Sequence, residues 1–135
     1  MTWEKYLGLP FSDHSTNGGV DCFGLVRLIL RDECGLELPT YGEGYRSCRD
    51  WQGISDSIRK GLSANFDRVD DPRMFDLIVF NIRGKPLHVG MVIGPTQFIH
   101  ANEPDERGKG GESRIERFTD SMWNKRIEGF YRYVG

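Results

Sequence analysis

No run of about 18 or more apolar residues occurs in the chain, so it offers no candidate membrane-spanning helix. Charge of one sign is also lacking. A formal net charge of -2 excludes the basic footprint that nucleic acid or an anionic membrane surface would call for. Cysteine is scarce: Cys22, Cys34 and Cys48 form no CxxC pair, and an odd count suits a disulfide framework poorly. A Cys34–Cys48 bridge stays open beside the simpler reading of reduced thiols near a helix end and in a loop. The opening residues Met1 to Tyr6 lack a basic segment followed by a hydrophobic stretch, so no secretory signal is read there. Work outside the cytoplasm would then depend on another carrier. Repeats, low-complexity runs and long linkers are absent too, and 135 residues predict one compact domain over 1–135.

What is present falls into two halves. Leu25, Val26, Leu28 and Ile29 recur at helical spacing after Cys22, with Asp21 as N-cap and Gly35 as the residue past the end. Leu36 to Gly42 reads as an irregular connection. Trp51, Ile54, Ile58 and Leu62 then mark a second amphipathic helix. From Asp76 the pattern changes to strands: Leu77–Phe80, a turn at Arg83–Pro86, His88–Ile93, a turn at Gly94–Thr96, and Gln97–Ala101. Asn102 to Glu112 is polar and glycine-rich and reads as a loop. Strands are expected again at Ser113–Phe118 and Gly129–Val134, with a short helical turn near Trp123. Helices first and antiparallel strands after predict an α+β domain.

The chemistry-bearing residues are Cys22, His88 and His100. A cysteine at a helix N-terminus meets unpaired backbone N–H groups and the positive end of the helix dipole, and both favour thiolate. If Ile93 pairs with Gln97, position 90 faces position 100, and His88 becomes a diagonal neighbour of His100 on one sheet face. Gly90 would leave open space for the two rings. A register slip of one residue would separate them. Cys22, His88 and His100 then fit nucleophile, base and orienting group, with the Cys22 backbone N–H as an oxyanion donor. From spacing alone the more common reading of the same residues is an inert core cysteine and two satisfied histidines. A zinc site made from the three is the weaker alternative, since no acidic residue stands next to either histidine in the sequence.

A resemblance bears on that choice. Asp21-Cys22-Phe23-Gly24-Leu25-Val26 resembles the Asp-Cys-Ser-Gly-Leu-Val nucleophile motif of NlpC-type cell-wall peptidases, which are papain-like cysteine hydrolases. Asp76-Leu77-Ile78-Val79-Phe80 is similar to their Gly-Asp-Leu-Val-Phe-Phe strand. His88-Val89-Gly90-Met91-Val92-Ile93-Gly94 resembles the segment carrying their catalytic histidine, and Phe98-Ile99-His100-Ala101 the one carrying their third catalytic residue. The order is kept from about Gly8 to the end. The resemblance implies a papain-like fold, N-terminal helices packed on a C-terminal antiparallel sheet. It also implies cleavage of amide bonds in peptidoglycan stem peptides by Cys22, His88 and His100, with no cofactor. Thiolate formation is expected to draw on helix dipole and imidazolium together, taking Cys22 well below its reference pKa of about 8.5.

More narrowly, Phe23 after the cysteine, Tyr6-Leu7-Gly8-Leu9-Pro10-Phe11, Gly35-Leu36-Glu37-Leu38-Pro39 and Arg126 to Arg132 resemble phage tail members of the family. That implies a virion-borne protein, made in the host cytoplasm, acting at the bacterial wall beside other tail-tip proteins. A structural tail protein with little catalysis is the alternative, and an acyltransferase using the same thioester chemistry is a third reading. Phe11 stands where many relatives have an oxyanion-hole tyrosine, so the backbone, His14 or Ser12 would have to substitute, or turnover is weaker. The stretch Ser12 to Asn17 is unlike the family's Gly-Gly loop, and Met74-Phe75 replaces an expected Pro-Gly. Asp21 is read as positioning the nucleophile loop or simply as the N-cap, and His14 as lining the cleft or as an exposed loop histidine. Trp3, Trp51 and Trp123 are read as core, with sugar stacking as the alternative.

Overall fold

The structure, a computed structural model, describes residues 2–12, 19–38, 50–104, 107 and 111–135. His14, Cys48 and most of the loop after Ser12 lie outside the described residues. Helix α1 (Cys22–Cys34) begins where Asp21 accepts a 2.7 Å hydrogen bond from the Gly24 N–H. It ends at Gly35, whose φ of 67° lets the Gly35 and Leu36 N–H groups reach back to Arg31 and Leu30. Leu25, Val26, Ile29 and Leu30 are buried along one face, each worth about 1.5–3 kcal/mol on burial. Leu28, expected on that face, sits at its margin.

Helix α2 (Trp51–Asn65) is capped by Asp50 and buries Ile58 and Leu62. Trp51 departs from the amphipathic expectation: it is 43% exposed, and the Arg83 guanidinium lies 4.0 Å over its ring. Without a break the chain enters β1 (Phe66–Val69), a strand the sequence reading misses. Two of its four residues are charged, which masks the strand preference of Phe66 and Val69, and pairing with the last strand completes it.

The remaining elements are β2 (Leu77–Ile82), β3 (Lys85–Val92), β4 (Gln97–Ala101), β5 (Ser113–Arg117), the short α3 (Ser121–Asn124) and β6 (Ile127–Tyr133). They form one antiparallel six-stranded sheet in the order β1-β6-β2-β3-β4-β5. The expected α+β class, helices followed by an antiparallel sheet, is the one observed. The β2–β3 turn is tighter than the expected Arg83–Pro86. Arg83 and Gly84, at φ 55° and 77°, make a two-residue hairpin, while Lys85 and Pro86 belong to β3.

Two irregularities flank Phe80. Phe80 faces His88 while Asn81 faces Pro86, which leaves Leu87 as an extra residue in β3. Val79 faces Gly129 while Phe80 faces Ile127, which leaves Glu128 extra in β6.

Both faces of the sheet are covered. Leu77, Val79, Val89, Met91, Ile99 and Ala101 pack with α1 and α2, whereas Ile78, Phe80, Val92, Phe98, Phe118 and Trp123 form a second cluster. At the β2 entry, Asp76 is buried and takes a two-pronged ion pair from Arg132, at 2.9 and 2.7 Å. Phe75 adopts a φ of 74° at a cost of about 1–2 kcal/mol and sets its ring 5.8 Å from Trp3.

The segment before Cys22 is clamped. Val20 N–H donates to Pro10 O at 2.9 Å, and Ser12 N–H donates to Val20 O at 3.0 Å. A Cβ on Gly19 would lie 2.5 Å from Pro10 O and 2.7 Å from Ser12 Cβ. Gly19→Ala is therefore expected to destabilise the fold by about 1–3 kcal/mol through overpacking. Thermal denaturation checks this, and an unchanged midpoint would show that the clamp yields freely.

Candidate active site

The β3–β4 register decides which side chains meet. Ile93 N–H donates to Gln97 O at 3.0 Å, and Met91 and Val92 face Ile99 and Phe98, so the register is the one the sequence predicts. His88 and His100 share a face, and His88 Nε2 lies 2.7 Å from His100 Nδ1. Their rings meet edge-on, 5.0 Å apart at 78°. The space opposite His100 is not open, however. A Cβ on Gly90 would lie 2.9 Å from both Ile99 O and the Phe98 ring, so glycine there admits close backbone approach rather than leaving a void.

Trp123 roofs the pair. Its ring lies 6.0 Å from His88, nearly parallel at 26°, and 4.9 Å from His100 at 84°. Phe80 and Phe98 close the other sides, at 5.8 Å from His88 and 4.6 Å from His100. His100 has no exposed surface. Burial holds His88 well below the usual histidine value of 6.5, with His100 adding to the effect. His100 is also lowered by burial, against the raising pull of Glu116.

Glu116 is the member of this cluster that the sequence reading missed. Its Oε2 lies 2.5 Å from His100 Nε2. The hydrogen bond from His100 holds its carboxyl below the usual carboxylate range. The Trp123 indole N–H is turned toward the same carboxylate and adds to this, although it makes no hydrogen bond of normal geometry. A signal did exist in the sequence. Pairing the expected strand at Ser113–Phe118 against Gln97–Ala101 sets His100 opposite Arg114, two residues from Glu116 on the same face.

Cys22 occupies the first turn of α1, as expected, and Asp21 is the N-cap. Its thiol state is not the expected one. Although Cys22 keeps some exposed surface, protein crowds the sulfur. That burial, with the Asp21 carboxylate adding, pushes the thiol up to about 12. Backbone hydrogen bonds at Val89, Phe23 and Cys22 itself pull the other way without prevailing. The Val89 contact sets the sulfur against β3 one residue from His88. Among the described residues no hydrogen bond joins the thiol to the His88 ring, and burial favours the neutral form of each.

Phe11 lies beside Val20 in a parallel bridge, with its ring packed against the helix-side core. It supplies no hydroxyl. Ser12 follows it in the clamp, and His14 lies outside the described residues. Trp3 packs on Tyr6 and Phe75 as core. Among the described residues no cluster of metal-ligating side chains occurs.

A papain-like α+β fold with a cysteine at a helix start and paired histidines on adjacent strands defines the class. The NlpC/P60 family profile matches residues 8–132, and the chain belongs to that family. It is 34% identical over 112 residues to the murein DD-endopeptidase MepS/murein LD-carboxypeptidase of Escherichia coli K12, covering 83% of this chain. A gamma-DL-glutamyl hydrolase of Bacillus subtilis is 22% identical over 134 residues, 96% of this chain and 27% of that protein. The chain spans 48% of the length of the E. coli relative.

Among solved structures, an NlpC/P60 family protein from Bacillus cereus superposes with a TM-score of 0.66 at 24% identity, over 98% of this chain and 38% of that one. The NlpC/p60 domain of the peptidoglycan hydrolase SagA superposes with a TM-score of 0.58 at 21% identity, over 97% and 92%.

The preference of Cys22 and His88 for their neutral forms has a direct consequence for thiol reactivity. Alkylation of Cys22 by iodoacetamide is expected to be slower at pH 7 than that of free cysteine and to climb steadily through pH 8–11 (about tenfold per unit while the thiol stays protonated). A plateau from pH 5 to 8 would instead show a preformed thiolate–imidazolium pair.

Proposed function

We propose that this chain is a cysteine hydrolase that cleaves an amide bond in peptidoglycan stem peptides. The observation that carries the reading is the 2.7 Å contact between His88 Nε2 and His100 Nδ1, with the Cys22 thiol seated one residue from His88. His100 occupies one nitrogen of His88 and leaves Nδ1 for the thiol. As Cys22 Sγ attacks the scissile carbonyl carbon, its proton passes to His88 Nδ1. The carbonyl oxygen becomes an oxyanion next to the Cys22 and Phe23 backbone N–H groups at the helix start. The C–N bond then breaks and the leaving amine takes the proton from His88, leaving a thioester. Water, deprotonated by His88, attacks that thioester, and the acid product departs as the thiol is restored.

The substrate class rests on likeness to MepS and SagA, whose descriptions name murein and peptidoglycan. We further propose that the chain is carried on a phage tail and acts at the bacterial wall, beside other tail-tip proteins. Support for this is the resemblance of Tyr6–Phe11, Gly35–Pro39 and Arg126–Arg132 to tail members of the family. A net charge of -2 gives no basic footprint for nucleic acid, and among the described residues no helix is long and apolar enough to cross a membrane. A structural tail protein with weak catalysis is the second reading, favoured by the core-packed, hydroxyl-free Phe11 ring.

Digestion of purified peptidoglycan, with mass analysis of the fragments, separates the two readings. Release of peptide-bond cleavage products is expected, and Cys22→Ala should abolish it while the circular dichroism spectrum is retained. Full lytic activity in that variant would remove Cys22 from the mechanism. The acid limb follows from His88. The base must be unprotonated, and its lowered pKa keeps it so until pH falls well below 6.5. kcat/KM is therefore expected to show no loss attributable to His88 between pH 7 and 6.5, and a half-loss at 6.5 or above would contradict the burial of that ring.

A further inference from the structure

Beyond Cys22, His88 and His100, the site continues into β5. Glu116 is two residues from Arg114, which faces His100, so its carboxylate is a diagonal neighbour of that ring. The groups form an unbroken series: His88 Nε2 to His100 Nδ1 at 2.7 Å, then His100 Nε2 to Glu116 Oε2 at 2.5 Å. His100 is fully buried, while the Glu116 side chain is 23% exposed.

Proton inventory fixes how such a series is wired. An ionised carboxylate only accepts hydrogen bonds, and a neutral imidazole carries one N–H and one lone pair. Glu116 therefore requires the proton on His100 Nε2. His100 Nδ1 is then a lone pair and must receive the N–H of His88 Nε2. That leaves the free lone pair of His88 on Nδ1. Both conditions hold near neutrality: Glu116 is held ionised by its hydrogen bond from His100, and burial keeps His100 neutral, with Arg114 acting in the same direction on both.

We propose that Glu116 is a positioning residue that sets the tautomers of both histidines and thereby fixes the proton-accepting lone pair on His88 Nδ1. The proposal deepens the hydrolase reading and rests on it for the role of His88. Glutamine is nearly isosteric, and with its Oε1 turned toward the Trp123 indole N–H its amide offers an N–H to His100. An amide N–H offered to His100 Nε2 reverses the series, so that His100 Nδ1–H donates to His88 Nε2 and the His88 proton moves to Nδ1, where it blocks the base.

The test uses nitrogen-15 NMR of the histidine rings together with kinetics on peptidoglycan. In the wild type both rings are expected as the Nε2–H tautomer. In Glu116→Gln both shift to Nδ1–H, and kcat falls about 10²- to 10⁴-fold with KM little changed, between the loss on removing an orienting partner and the loss when a catalytic histidine is held in the wrong tautomer. Glu116→Asp, which keeps the charge, restores the wild-type tautomers and part of kcat. A wild-type spectrum with the proton on Nδ1 of either ring overturns the proposal without any variant, as do wild-type tautomers and kcat in Glu116→Leu, which offers His100 no acceptor. Should the wild type fail to cleave peptidoglycan, the hydrolase reading falls, and the tautomer spectra still decide the role of Glu116.

Discussion

The register between β3 and β4 is the constraint on which the site depends. Pairing Met91 with Ile99 brings the two histidines together on one face and sends Val89, Met91, Ile99 and Ala101 to the helices on the other. Because side chains alternate, a slip of one residue would turn one strand over, leaving one imidazole against α1 and the other on the opposite face. The hydrophobic effect thus fixes the chemistry indirectly. The four apolar side chains hold the register, and the register holds the histidines.

That the second face is also covered alters the electrostatics. An imidazole pair on an open sheet face would titrate near its ordinary value. Here Phe80, Phe98 and Trp123 surround it, and burial favours the uncharged forms of both histidines. The same physics acts on Cys22, where crowding around the sulfur outweighs the helix-start N–H groups. A helix N-terminus lowers a thiol pKa when the sulfur is otherwise solvated, and in packed surroundings it only moderates the rise.

Much of this was legible beforehand. The Asp21 cap, the Gly35 end, the strand carrying each histidine and the β3–β4 register follow from local pattern and turn spacing. Three things were not. β1 has only a weak strand signature, because in Phe66 to Val69 two charged residues interrupt two strand formers, and the strand is completed by its pairing with β6. Glu116 lies 16 residues from His100 and meets it only across a strand pair, so searching beside the histidines in the sequence could not find it. The thiol state depends on how closely the protein packs around one sulfur atom, which no spacing rule encodes.

The extra residues on either side of Phe80 have a mechanical meaning. Leu87 and Glu128 each absorb a change of register, so the outer part of the β2–β3 hairpin is paired out of step with the inner part. Its tip, anchored by Arg83 over Trp51 and by a 2.9 Å bond from Lys85 to Gln52, is held by α2 rather than by the histidines. The bulges therefore act as a slip joint. The hairpin tip follows α2, while the face on which His88 presents its ring stays where the inner register puts it.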